Sequence, residues 1–219
     1  MIKYEDIKNN EVIKTYIRNA DKSLEALGYT EHSFAHVCKV ANDAGEILKA
    51  LEFDDRLIEL TKISGYLHDI GNIVNRVDHS QSGAIMAFRL LDNLEMDPDE
   101  ISLIISAIGN HDEGTGVPVN PIAAALIIAD KSDVRRSRVR NTNFIKFDIH
   151  DRVNYSVTNS KLNIDKDNKT ITLVLEIDTS ISAVIEYFEI FLSRMTMCKN
   201  AAKKLGLAFK LIINNQILL

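Results

Sequence analysis

The chain has 219 residues, 46% hydrophobic and 26% charged, with a formal net charge of -5. That length and apolar share support one large core, or a core with a small appendage, and exclude a disordered chain or a miniprotein dependent on staples. The acidic balance argues against bulk attraction to nucleic acid or an anionic membrane, so neither is expected as a partner.

The opening stretch MIKYEDIKNNEVIKTY is charged throughout and has no apolar signal segment. The longest apolar run, near Ala123 to Ala129, falls far short of the about 20 residues of a membrane span. Cys38 and Cys198 lie far apart in helical-looking segments and read as free thiols of a reducing compartment, not as ligands or nucleophiles. A cytoplasmic protein is expected.

Helical periodicity runs to about residue 145. Ile7, Val12, Ile13, Ile17, Leu24 and Leu27 mark one face of a helix or helix pair ended by Gly28. Thr30 is the expected cap of the next helix, on which His36, Val40, Ala44, Ile47 and Leu51 recur at steps of three and four, turning His36 inward. Asp54 opens a helix carrying Leu57, Leu60, Ser64, Leu67 and His68, with Gly71 as its stop, so the pair His68-Asp69 falls in a last turn. Asp78 caps a helix with His79 in its first turn, and Gly83, Ala84 and Ala87 suit close packing.

Asp97-Pro98-Asp99-Glu100 is a helix start with the residues of a capping box, and Ile101, Ile104, Ile105 and Ile108 then lead to His111. Asn120-Pro121 repeats the signal, with Ile122, Ala125, Leu126 and Ala129 leading to Asp130. Lys131, Arg135 and Arg138 follow at helical spacing, in a basic stretch that includes Arg136 and Arg140.

After Asn141 the pattern changes. Val153 to Val157, Leu162 to Asp165 and Thr170 to Ile177 read as short strands, with a turn at Asp165, Asp167 and Asn168. A long helix starting near Asp178 to Ser180 carries Val184, Phe188, Phe191, Met195 and Ala202 and stops at Gly206, before a strand from Phe209 to Ile213. The predicted fold class is mostly α: a helical metal-binding domain over residues 1–145 and a small α+β extension over 146–219, with a soft boundary.

Each of His36, His68-Asp69, His79, His111 and Asp130 thus rides on, or at the end of, an amphipathic helix that a bundle can bring to one centre. Four imidazoles and two carboxylates without a thiolate suit a dinuclear site for Fe, Mn, Co, Ni or Zn and disfavour Ca or an all-protein Mg cage. The contexts HVCKVA, YLHDIGN, DHSQSGA, GNHDEG and LIIADKSD, in that order over residues 30–140, resemble the HD superfamily of metal-dependent phosphohydrolases.

The resemblance implies two divalent transition metal ions, one held by His36, His68, Asp69 and Asp130 and the other by Asp69, His79 and His111. Asp69 would bridge them, with His68 and Asp69 at the catalytic heart and a shared hydroxide as nucleophile. The expected reaction is hydrolysis of a phosphoester of a nucleotide or other small phosphorylated metabolite, with Lys131, Arg135, Arg138 and Arg76 as its anion partners.

Alternatives on the same ligand set are a di-iron oxygenase, a cyclic-dinucleotide phosphodiesterase and a non-catalytic signalling module. NHDEGTGVPVNP is similar to a region of the HD-GYP phosphodiesterases, but Gly116-Val117-Pro118 lacks their tyrosine and Asn72 stands where lysine is common. His32 reads as a partly exposed first-turn residue, His150 as structural or surface, and Glu113 as a loop carboxylate or proton shuttle. A homodimer is compatible with the sequence.

Overall fold

The computed structural model describes residues 1–140 and 148–219. The expected boundary near residue 145 lies outside the described residues. The helical part comprises α1 (Tyr4–Asn9), α2 (Glu11–Ala26), α3 (Phe34–Ala50), α4 (Asp55–Leu67), α5 (His79–Asn93), α6 (Pro98–Gly109) and α7 (Pro121–Lys131). The extension comprises α8 (Ile149–Ser156), β1 (Val157–Asp165), β2 (Thr170–Ile177), α9 (Val184–Lys204), β3 (Ala208–Ile213) and β4 (Gln216–Ile217). The architecture is the mostly α bundle with a small α+β extension that the sequence predicts.

Most helix starts follow the local chemistry. Asn10, Asp54, Asp97 and Asn120 accept backbone N–H bonds at the starts of α2, α4, α6 and α7, and Pro98 and Pro121 occupy the first turn where a missing N–H costs nothing. Helix α7 is the hub: every residue from Ile122 to Ala129 is buried, so it is wrapped on all sides instead of showing one apolar stripe. Gly28 closes α2 with φ 82°, the left-handed geometry that glycine adopts without strain.

Several expectations need correction. Val12 and Leu27 are exposed, not core residues. Helix α3 is capped by Ser33, whose hydroxyl accepts from Ala35, whereas Thr30 lies in the preceding segment. Asp78 does precede α5, but in a left-handed conformation (φ 57°) in which its carbonyl, not its carboxylate, receives Gln81 and Ser82 N–H. Glu100 turns away from a capping box to pair with Arg56.

Gly71 is no helix stop either. It lies in a 3-10 turn, Ile70–Ile73, where a Cβ would come within 2.0 Å of the His79 carbonyl oxygen and 2.4 Å of Gly83 N. Its bare backbone lets the His68-Asp69 turn press against the start of α5.

In the extension, Val153 to Ser156 belongs to α8 and the strand begins at Val157. The Asp148 carboxylate accepts from Asp151 N, and that cap starts a helix despite the two β-branched residues, Ile149 and Val153, within it. Strands β1 and β2 form an antiparallel hairpin, with Asn168 N bonded to Asp165 Oδ1 in the turn. Helix α9 then carries the chain to β3, which pairs parallel to β2, and β4 completes the order β1-β2-β3-β4. Among the described residues no helix is long and apolar enough to cross a membrane.

Candidate metal centre

The four histidines and two aspartates converge from α3, the α4 exit, the α5 start, the α6 exit and the α7 end. His36, His68, Asp69, His79 and His111 are buried. Asp69 Oδ2 lies 3.5 Å from His36 Nε2 and 3.2 Å from His68 Nε2, while its Oδ1 lies 3.4 Å from His79 Nε2 and 3.9 Å from His111 Nε2. One carboxylate therefore faces one histidine pair with each oxygen. Asp130 Oδ1 joins the first pair, 3.4 Å from His36 Nε2 and 3.6 Å from His68 Nε2.

The outer nitrogens fix the tautomers. His68 Nδ1 donates to Gly65 O at 2.8 Å, His79 Nδ1 to Arg76 O at 3.0 Å and His111 Nδ1 to Ile108 O at 2.6 Å. A carbonyl only accepts, so each of these Nδ1 atoms carries a proton and each ring, when neutral, presents its Nε2 lone pair inward. His36 is held the same way by the Asp133 carboxylate at 2.7 Å.

The consequence is an excess of unpaired acceptors. His36 Nε2 and His68 Nε2 are buried without a hydrogen-bond partner, and the Nε2 atoms of His79 and His111 face each other at 3.2 Å. A buried polar atom left unpaired costs about 1–3 kcal/mol, and two facing lone pairs repel, so the arrangement fits a cation between them. Ligand atoms of His36, His68 and Asp130, and of His68, Asp69 and His111, lie mutually within 4.8 Å. The second trio differs from the resemblance in using His68 where His79 is implied. The His79 contacts to Asp69 and His111 argue for including His79.

Electrostatics divide the four rings: burial holds His79 and His111 down, whereas the carboxylates around His36 and His68 outweigh burial and raise both, favouring a positive charge at that position. Burial would raise the carboxyls of Asp69 and Asp130, but His68 and His36 beside the first and Lys131 beside the second hold both well below the usual carboxylate range. Burial pushes His111 well below its ordinary value and His79 down as well, keeping both neutral. Burial lowers His68 too, but Asp69 and Asp130 outweigh it and lift the metal-free imidazole to about 10.

Sequence reasoning missed Asp133 and Arg194 as supporting residues and read Asn72, Lys131 and Glu113 in other ways. Asp133, within the LIIADKSD stretch, binds His36 and also takes Arg135 Nε at 2.8 Å. Asn72 Nδ2 donates to both the Asp69 carbonyl and its Oδ1 at 2.9 Å. Lys131 Nζ lies 2.8 Å from Asp130 Oδ2 and 3.5 Å from Glu113 Oε2, and Arg194 of α9 pairs with Glu113 at 2.5 Å. Glu113 is thus no exposed loop carboxylate. The Asp133 position had a signal, three residues past a ligand; Arg194 had none, because only folding brings α9 there.

The basic stretch is not the shared helical face expected, because α7 ends at Lys131. Arg138 is buried, donating to Glu31 O and Asp133 O. Arg135 binds Asp133, Glu31 and Ser137, and Arg140 pairs with Asp21.

A cavity of about 410 Å³ opens onto the centre. Asp69, His79, His111 and Asp130 form its floor, with Arg76, Lys131, Arg138 and Arg194 as cations and Tyr29 and Phe191 as aromatic walls. Arg135 is not among its lining residues. His32, expected at a first helical turn, precedes α3 and lines the cavity, as does His150 from α8.

A family model for the HD domain matches residues 33–135, the span that holds all six converging residues. The chain therefore carries an HD domain. An uncharacterized protein of Methanocaldococcus jannaschii is 28% identical to it over 161 residues, covering 63% of this chain and 61% of that one. The chain therefore spans about three-fifths of the length of this curated relative. A solved structure of a predicted HD superfamily hydrolase from an uncultured Thermotogales bacterium is 26% identical, covering 57% of this chain and 67% of its own, with a TM-score of 0.44. The HD domain carries buried groups able to hold a metal, and the extension from α8 onward lies outside the matched span.

Proposed function

We propose that the protein is a metal-dependent phosphohydrolase cleaving a phosphoester of a nucleotide or other small phosphorylated metabolite. In this reading one divalent transition metal ion is held by His36, His68, Asp69 and Asp130, and a second by Asp69, His79 and His111. The observation that carries it is the common tautomer: four outer nitrogens committed as donors, four inner lone pairs aimed at two carboxylates. Neutral imidazoles with carboxylates and no thiolate suit Fe, Mn, Co, Ni or Zn.

Ions bound there would supply Lewis acidity toward a phosphate oxygen and lower the pKa of water. The chain's own residues orient the rest. Asn72 fixes the rotation of Asp69 through Oδ1. Among the described residues the contacts of Arg76 are long, 3.3 Å to Asn72 Oδ1, 3.4 Å to His79 Nε2 and 5.7 Å from its guanidinium carbon to the Tyr29 ring centroid, so it is the cation readiest to turn to a phosphate oxygen. Lys131 and Arg138 line the same cavity and add positive potential while bonded to the protein.

The test is stripped protein reloaded with Mn, Fe, Co or Zn and assayed against nucleotides and phosphomonoesters for phosphate release, with oxygen uptake followed in parallel. Metal-dependent phosphate release is expected. Oxygen uptake without phosphate release would replace the reading with an oxygenase, and failure to bind metal would overturn it.

A further inference from the structure

Helix α9 lies outside the HD-matched residues, yet it forms a wall of the cavity over the metal centre. Arg194 Nε is 2.5 Å from Glu113 Oε1, Glu113 Oε2 is 3.5 Å from Lys131 Nζ, and Lys131 Nζ is 2.8 Å from Asp130 Oδ2. The other oxygen of Asp130 is the one turned to His36 and His68. One turn along α9, Met197 closes on the loop that bears Glu113: a Cβ on Gly116 would meet Met197 Cε at 2.8 Å and the carbonyls of Asn110 and Asp112 at 2.5 Å. Glu113 is therefore held against α9 by packing as well as by charge.

Two carboxylates compete for the single Lys131 ammonium. Coulomb attraction falls with distance, so Lys131 serves Asp130 first while Glu113 has a cation of its own. We propose that Arg194 is a positioning residue of the metal centre: by neutralising Glu113 it leaves Lys131 to Asp130, which keeps Asp130 Oδ1 turned toward His36 and His68. The inference rests on the metal-centre reading above. Without Arg194, a mostly buried and unpaired Glu113 draws Lys131 toward itself, and the outer oxygen of Asp130 loses its anchor.

Charge alone predicts the opposite outcome. Removing a positive group near a cation site tightens cation binding by simple electrostatics, so weaker binding is the mark of lost positioning. Affinity for Mn(II) is measured by chelator competition and by metal analysis on the full chain, with circular dichroism as the folding control. Arg194→Gln should bind Mn(II) about 10-fold more weakly, the lower end of the usual cost of losing an outer-shell partner.

Adding Glu113→Gln to Arg194→Gln removes the competitor for Lys131, and affinity should return to within about threefold of the wild type, a non-additivity expected of coupled residues. If the glutamine variant does not fold, Arg194→Met carries the same test, since it puts an unbranched apolar side chain where the guanidinium carbon stands 4.5 Å from the Phe191 ring centroid. Glu186→Gln, which breaks the Arg152 pair elsewhere on α9, should leave affinity unchanged.

Unchanged or tighter Mn(II) binding in Arg194→Gln, or a further loss in the double variant, would overturn the positioning role. A wild type that binds no Mn(II) would overturn the metal-centre reading itself.

Discussion

Asp133 Oδ2 accepts a hydrogen bond from His36 Nδ1 at 2.7 Å, while Asp130, three residues earlier, has Oδ1 3.4 Å from the opposite nitrogen of the same ring. The end of α7 thus grips one imidazole from both sides. Burial would raise the Asp133 carboxyl, but His36 and Arg138 hold it far below the usual range, so it is an anion at any physiological pH.

Asp133→Asn should accordingly weaken metal binding about 10- to 100-fold, because the ring loses its charged orienting partner. It should also destabilise the fold by on the order of 3 kcal/mol, since Arg135 and Arg138 are left without their shared carboxylate. Metal titration and denaturant melts check the two parts separately. Full metal affinity in Asp133→Asn would detach Asp133 from the site.

Asp69 divides its two oxygens between two histidine pairs, so its loss should be felt by both positions. Asp69→Ala is expected to abolish tight binding of two ions per chain, while His79→Ala chiefly weakens one. Elemental analysis after dialysis reads the difference. Two tightly held ions in Asp69→Ala would refute the bridging assignment.

Two glycine substitutions should behave in opposite ways. At Gly71 a Cβ would meet backbone atoms, His79 O at 2.0 Å and Gly83 N at 2.4 Å, which have no rotamer to escape into. Gly71→Ala should cost on the order of 3 kcal/mol or more and displace His79. At Gly45 the nearest atoms belong to the flexible Lys62 stem, so Gly45→Ala should be mild, helped by the about 0.5–1 kcal/mol that alanine gains within a helix. Thermal melts of both variants decide it, and similar losses at the two positions would contradict the packing argument.

The metal-free protein should lose stability on the alkaline side. With His68 raised from 6.5 to about 10, its protonated form contributes stability that is fully present below about 6.5 and is lost as pH rises through about 10. Ligation instead requires the neutral ring, so the stabilisation gained by adding metal should grow across the same window. Melting curves of stripped and Mn-loaded protein from pH 6 to pH 10 measure it, pH values spanning about the unfolded and folded titrations. A stripped protein with a flat profile would count against the His68 ion pairs with Asp69 and Asp130.

The sequence made the helix order and the six converging residues legible because both rest on local signals. Apolar spacing announces a buried face, and Asn-Pro or Asp-Pro announces a start. Where the reading failed, a tertiary contact outweighed the local preference. Lys131, Arg135 and Arg138 have helical spacing, but Asp133 gathers Arg135 and Arg138 after the helix has ended. Glu100 has the position of a capping residue but meets Arg56 from α4. Arg194 reaches the centre only through folding, since it lies more than sixty residues past Asp130 in sequence, whereas Asn72, three residues past Asp69, had the same local signal as Asp133.

The parallel pairing of β2 with β3 constrains α9 more than its packing alone does. A helix joined to strands that run side by side is pinned at both ends, so a slide along its axis or a roll about it would break the ladder from Thr170↔Ala208 to Leu175↔Ile213. The sheet therefore works as a chassis for one wall of the cleft, the wall that carries Phe191 and Arg194. A change in strand register would therefore move the cleft wall without altering any residue that lines it.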